Sequence, residues 1–279
     1  MNAFVPTSGQ ILGREIELYP EGIILSVDKP YRWTSADVIR KIKWTAGKHF
    51  GRKNLKVGHA GTLDPLATGV LLVCLGKATK LAEELQSHEK EYVAGVSFGA
   101  TTASYDLEKD VDSVCALDGV SEESLRSVLP QFEGEQMQVA PLFSAKSVDG
   151  VRAYETARKL YRAGNLAEAS DLLTASRVNI SRLELLHYGE PGSSECHSGR
   201  TMSPNPRIRV ADIGGYDLVQ TEILVRCSKG TYIRALARDL GEALGSGAFL
   251  HSLRRTAVGG FRVENSLTIE DALHLFRHE

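Results

Sequence analysis

Asp64 stands in the run Gly58-His-Ala-Gly-Thr-Leu-Asp-Pro-Leu-Ala-Thr-Gly69, which sets one carboxylate in a tight, glycine-flanked loop directly before an apolar stretch, Val70 to Leu75. Gly58 and Gly61 open backbone angles closed to other residues, while Pro65 fixes its own φ and pushes Asp64 towards an extended conformation. Two readings follow. The carboxylate is either a nucleophile presented at the mouth of a strand or the polar opener of an ordinary Asp-Pro turn. An Asp-nucleophile hydrolase would need a second acid–base carboxylate, and none accompanies Asp64 at a recognisable spacing. Nucleotide-cofactor chemistry has no support either: no Gly-x-Gly-x-x-Gly follows a strand pattern, and Leu75-Gly-Lys-Ala-Thr79 lacks the first glycine of a phosphate loop because Leu71 occupies that place. The four cysteines, Cys74, Cys115, Cys196 and Cys227, lie far apart with no Cys-x-x-Cys pair. Cys196-His197 has no second pair of ligands, so reduced thiols, no metal and no cofactor are expected.

The elements that must hold such a loop are legible from periodicity. Ile23 to Val27 reads as a short buried strand, and Thr34 with Asp37 as the capping box of a helix with Val38, Ile39 and Ile42 on one face. Lys29 and Pro30 then fall in a strand-to-helix loop. Val70 to Leu75 reads as a strand, followed by one helix carrying Ala78, Leu81, Ala82 and Leu85. Tyr92 begins a strand whose alternate residues Ala94, Val96 and Phe98 form a core row. Ser121 caps a helix bearing Leu125, Val128 and Leu129, and Ala153, Ala157 and Leu160 mark another that stops near Gly164. Val219, Thr221, Ile223 and Val225 alternate up to Cys227, which predicts a strand ending near Lys229-Gly230. Ile233, Leu236, Ala237, Leu240 and Leu244 trace a helical stripe that leaves Arg234 and Arg238 off the buried face. Tyr188 to Gly215, rich in Gly, Pro and Ser, reads as an exposed loop.

Net charge is −2, yet its distribution is polarised. Between Lys29 and His59 there are nine Lys and Arg against the single acid Asp37, whereas Ser104 to Glu135 holds nine acids and only Lys109 and Arg126. A basic face for a phosphate backbone is therefore compatible with a near-neutral total, although solvated charge runs would look the same. A hydrophobic content of 42% is enough for a sizeable core. The start of the chain has no apolar stretch behind a basic segment, and Val70 to Leu75 is too short to span a bilayer, so a soluble, cytoplasmic protein without membrane contact is expected.

The whole run from Gly58 to Lys80 resembles the active-site motif of the TruB family of tRNA pseudouridine synthases. Three further segments resemble that family in order and spacing: Gly22 to Pro30 with Trp33-Thr34-Ser35, Lys90-Glu91-Tyr92, and Cys227 to Arg234 running through Asp239-Leu240-Gly241 to Leu253-Arg254-Arg255. The resemblance implies a mixed α/β (α+β) pseudouridine synthase fold with a largely antiparallel sheet, flanking helices and a central RNA-binding cleft. It implies isomerisation of the TΨC-loop uridine (position 55) of tRNA, without cofactor or metal and with the target base flipped out. Asp64 would be the essential carboxylate, with Arg234 orienting it and keeping it anionic. Tyr92 would lie against the uracil. His59 would fill the gap left by the flipped base, Lys29 and Pro30 would support the loop or touch phosphate, and Tyr232, Leu253 and Arg255 would line the pocket. Arg52, Lys53 and Lys56, in the basic segment, are expected to meet tRNA phosphates.

The domain reading is an N-terminal extension over 1–21, a catalytic domain over 22–258 with an insertion at about 188–215, and a short tail over 259–279 with no RNA-binding domain of the PUA type. A monomer is expected, with the TΨC arm of tRNA as partner. Ala103 stands where the family commonly has Asp, which bears on one contact to the RNA. A second function class, a catalytically silent RNA-binding protein that assists tRNA folding, is disfavoured by the joint presence of Asp64, Tyr92 and Arg234.

Overall fold

The two apolar runs read as strands become β1 (Ile23–Lys29) and β3 (Thr68–Leu75), and a third strand that the sequence did not announce, β2 (Val57–Ala60), packs edge to edge with them. In this computed structural model the described residues are 2–143, 147–148, 151–152, 175–189 and 205–277. β1 runs antiparallel to β3 from Ile23 opposite Leu75 to Lys29 opposite Gly69, and β2 pairs antiparallel with the end of β3, His59 opposite Val73. β3 is buried from Gly69 onward, so its side chains alternate between two dry surfaces. One row, Val70, Leu72 and Cys74, joins Ile24, Ala60, Ala78, Leu85 and Val258 in a continuous core. Each Leu, Ile or Val fully removed from water there contributes roughly 1.5–3 kcal/mol.

Helix α1 (Ser35–His49) starts at the expected capping box, in which Thr34 accepts from the Asp37 amide and Asp37 accepts from the Thr34 amide. The single helix expected over Ala78 to Leu85 is two pieces, a 3-10 turn Gly76–Leu81 and α2 (Ala82–Ser87). Tyr92 is the third residue of β4 (Lys90–Phe98). β5 (Ala100–Thr102) and β6 (Val111–Val114) form a small hairpin. α3 (Glu122–Val128) follows the expected Ser121 cap. Then come β7 (Gly134–Val139), the short ladder of β8 (Ser147–Val148) with β9 (Val151–Arg152), β10 (Ala175–Gly189), β11 (Val219–Cys227), α4 (Ile233–Ala243), β12 (Ala248–Val258), β13 (Phe261–Arg262) and α5 (Ile269–His274). The expected loop begins later than Tyr188, because β10 continues to Gly189. The helix expected around Ala153 to Leu160 and the Cys196-His197 pair lie outside the described residues.

The chain divides into two compact units, Met1–Val93 with Ser198–Ile208 and Leu253–Glu279, and Ala94–His197 with Arg209–Ser252. β4 and β12 each begin in one unit and end in the other. The first unit holds β1, β2, β3 and the final part of β12, which runs parallel to β3 with Arg254 opposite Thr68 and Arg255 opposite Gly69. In the second unit β11, β10 and β7 lie side by side in that order, all antiparallel. The mixed α/β architecture with a largely antiparallel sheet is as expected. No described helix is long and apolar enough to cross a membrane.

Candidate active site

The loop between β2 and β3 carries Asp64. The Ala67 amide donates to the Asp64 carbonyl at 3.1 Å, so Asp64-Pro65-Leu66-Ala67 is a β-turn with proline at its favoured second position. An ordinary turn needs nothing more, and this one is clamped from three sides. The Ser35 hydroxyl, at the start of α1, both accepts from the Leu63 amide (3.0 Å) and donates to the Leu63 carbonyl (3.2 Å). The Lys29 ammonium, fully buried at the end of β1, donates to the carbonyls of Trp33 (2.6 Å), Pro30 (3.0 Å) and Pro65 (3.3 Å). Arg255, only 1% exposed, donates to the carbonyls of Val70 (2.7 Å), Gly61 (3.2 Å) and Thr62 (3.5 Å).

Two sequence features make the Arg255 clamp possible. Gly61 has φ +89°, a left-handed angle that glycine adopts without strain. Gly69 has φ +101°, and a Cβ there would come within 2.1 Å of the Arg255 carbonyl oxygen. The Gly69 amide donates to Asp28 Oδ1 at 3.1 Å, and Asp28 is also gripped by Arg254 at 2.8 Å. The loop is thus pinned at Leu63, Pro65, Gly61, Thr62 and Val70, on both sides of Asp64.

Electrostatics in this unit follow from burial. Desolvation lowers the pKa of Lys29 to about 7; the Asp64 carboxylate opposes the shift and the Arg255 guanidinium adds to it. His59, half-buried on β2, has its pKa lowered by burial and then by Arg255, so the imidazole is neutral at pH 7. Its buried Nδ1 has no hydrogen-bond partner among the described residues. Pro30 and Leu253 are half-buried and Tyr92 is buried.

Arg52, Lys53 and Lys56 are exposed and sit at the other end of the β2–β3 hairpin, where the Gly76 amide donates to the Lys56 carbonyl at 2.9 Å. β3 separates them from Asp64 by its eight residues, about 25 Å at the ordinary strand rise. The basic segment from Lys29 to His59 is therefore not one face. Lys29 is internal, Arg32 donates to the Ile208 carbonyl, Arg40 pairs with Asp37, and Lys48 lies over the Trp44 ring.

In the second unit Arg234 is the second residue of α4, and at 4% exposure it is buried, against the expectation that it lies off the buried face. Burial is tolerated because the guanidinium is satisfied: it donates to the carbonyls of Ser104 (3.1 Å) and Phe143 (3.0 Å), and its Nε lies 3.6 Å from Asp106 Oδ2. Asp106 is itself buried, with Oδ1 accepting from the Ser104 hydroxyl (2.6 Å) and the Glu108 amide (2.9 Å). Tyr232 precedes α4, and the buried Gln138 amide brackets its backbone, accepting from the Tyr232 N–H (2.8 Å) and donating to its carbonyl (3.2 Å). Asp106, Gln138 and Ser35 are functional candidates that the sequence reading did not single out. Ser104-Tyr105-Asp106 gave one signal, a carboxylate in a polar run between strand patterns, and Ser35 another, as the last residue of the Trp33-Thr34-Ser35 segment that resembles the family. Gln138 gave none.

Asp64 thus sits on a loop held rigid through its backbone, with the buried Lys29 close enough for the two charges to act on each other. Residues 48–233 match the TruB family pseudouridylate synthase N-terminal domain, and residues 234–279 match the tRNA pseudouridylate synthase B C-terminal domain. The chain belongs to the TruB family. It is 46% identical over 252 residues to the tRNA pseudouridine synthase B of Bacteroides thetaiotaomicron, covering 90% of this chain and 92% of that one. It is 38% identical over 254 residues to that of Mycobacterium leprae, covering 91% and 69%. Among solved structures it is similar to a Cbf5-Nop10-Gar1 complex, with TM-score 0.57 and 28% identity over 98% of this chain and 60% of that chain. As a TruB family member, the protein is a tRNA pseudouridine synthase, an isomerase. The alternative of a silent RNA-binding protein is the less supported reading.

Proposed function

We propose that the enzyme isomerises the uridine at position 55, in the TΨC loop of tRNA, acting as a cytoplasmic monomer on the TΨC arm. The reaction breaks the bond between the sugar C1′ and the uracil N1, turns the base and joins C1′ to C5. The C5 proton is released, N1 takes up a proton, and no electrons are exchanged with a cofactor. The observation that carries the reading is the pinned Asp64 loop, held at five points by Lys29, Ser35 and Arg255. Holding one carboxylate this tightly lowers the ordering cost of the step in which it acts on the sugar or the base.

Arg234, Tyr92 and His59 are assigned to the same reaction by their places in the family motifs. The interactions of Arg234 with Asp106 and two carbonyls support a fixed cation rather than a mobile one. Tyr92 supplies a flat face for the extruded uracil. The neutral His59 replaces stacking lost when the base is turned out, which costs a few kcal/mol. Arg255 and Lys29 act through the loop, as positioning residues. Pro30, Tyr232 and Leu253 support the pocket. Mapping of pseudouridine in tRNA from cells with and without the protein tests the reading: loss confined to position 55 supports it, and unchanged tRNA with loss elsewhere overturns it.

A further inference from the structure

A cavity of about 950 Å3 opens at the end of the β2–β3 hairpin remote from Asp64. Five cations line it, Arg52, Lys53, Lys56, Lys77 and Lys80, against one carboxylate, Glu17. Arg52 pairs with Glu17, and Lys77 lies 4.0 Å from Glu21. Lys53, Lys56 and Lys80 have no carboxylate partner among the described residues, so the rim is strongly positive in a chain whose net charge is −2. The lining also includes the apolar residues Ile16, Tyr19, Pro20 and Leu55. Tyr19 is fixed in place: its hydroxyl accepts from the Gly13 amide at 2.9 Å, and its ring packs against Phe4 and Phe50 at 5.2 and 6.2 Å.

Cations and a rigid aromatic side chain lining one cavity match the two parts of a nucleotide, phosphate and base, as in sites that bind single-stranded nucleic acid. A cavity of this size sits at the upper end of the usual range for a bound small molecule. Position decides the source of the nucleotide. The cavity is a whole strand, about 25 Å at the usual rise, away from the loop where the target uridine reacts. One folded tRNA is larger than that distance. We propose that this pocket binds a phosphodiester stretch of the substrate tRNA outside the arm being modified, with an unpaired base against Tyr19. The site adds affinity for whole tRNA and plays no part in the chemistry.

The proposal rests on the tRNA-modifying reading, and the experiment separates the two. Lys77→Ala/Lys80→Ala is compared with wild type on full-length tRNA and on an isolated stem-loop of the target arm, by salt-titrated binding and single-turnover pseudouridine formation. Both lysines are exposed and outside the core, so the fold is unaffected. For full-length tRNA the expected result is a roughly tenfold weaker Kd and a salt dependence shallower by about one to two units of slope. Stem-loop affinity and the single-turnover rate stay within twofold of wild type. Unchanged binding of full-length tRNA would overturn the proposal, as would an equal loss on both RNAs, which would place the target arm itself at the pocket. Failure of the wild-type enzyme to form pseudouridine in either RNA would instead count against the reading of the Asp64 site.

Discussion

The Lys29 ammonium donates to the Pro65 carbonyl at 3.3 Å, so the last residue of β1 fixes the peptide between Pro65 and Leu66, one residue beyond Asp64. Lys29 is fully buried and its pKa is lowered to about 7 from an ordinary 10.5, chiefly by desolvation. Below pH 7 both folded and unfolded chains carry the proton. Between about 7 and 10.5 the unfolded chain binds more protons at this group, so its contribution to stability rises with pH, by up to about 1.4 kcal/mol per pH unit. Denaturant titrations of wild type and Lys29→Met at several values across that window should diverge with pH, the wild type gaining. Parallel curves would show that Lys29 keeps an ordinary pKa.

Arg255 is spent on carbonyls rather than phosphates, and that predicts a particular kinetic signature. An ammonium offers no planar fork to span Gly61, Thr62 and Val70. Arg255→Lys should lower the single-turnover rate by tenfold or more while leaving the tRNA Kd and its salt slope within error of wild type. A shallower salt slope with a normal rate would make Arg255 a phosphate contact instead.

Gly69 is predicted to be intolerant of any side chain. Its φ of +101° and the 2.1 Å approach of a Cβ to the Arg255 carbonyl both penalise Gly69→Ala, the backbone strain alone by about 1–3 kcal/mol. The variant should unfold at clearly lower denaturant with an unchanged m-value. Wild-type stability would mean that β12 can move away from β3 without loss.

Arg234 and Asp106 form a buried pair in which removal of either leaves an uncompensated charge. Arg234→Met and Asp106→Asn should each reduce the single-turnover rate, on the order of a hundredfold, and the double variant, which removes both charges, should lose far less than the product of the two. Multiplicative losses would show that the two residues act independently.

What the sequence made legible was what periodicity and local chemistry encode. β11 starts at Val219 as its alternation indicates and ends at Cys227, two residues before the expected end near Lys229-Gly230, and the Thr34–Asp37 and Ser121 caps are present because capping is decided within four residues. The apolar spacing of Ala78, Leu81, Ala82 and Leu85 did not distinguish one helix from a 3-10 turn, Gly76–Leu81, followed by α2. Arg234 escaped a pattern-based reading because its burial depends on Asp106, Ser104 and Phe143, each about 90 to 130 residues away in sequence. Charge counting along the chain likewise joined Lys29, Arg32 and Lys53 into one basic segment, whereas the strands and α1 carry them to an interior, a loop anchor and a distant cavity.

The most direct test of the central claim is single-turnover pseudouridine formation at position 55 by Asp64→Asn, with tRNA affinity measured in parallel. The amide keeps the shape of the side chain, and the loop is held through its backbone by Lys29, Ser35 and Arg255, so fold and Kd should be nearly unchanged. The carboxylate is lost, so no pseudouridine should form. Turnover within tenfold of wild type, with a normally folded variant, would contradict the account.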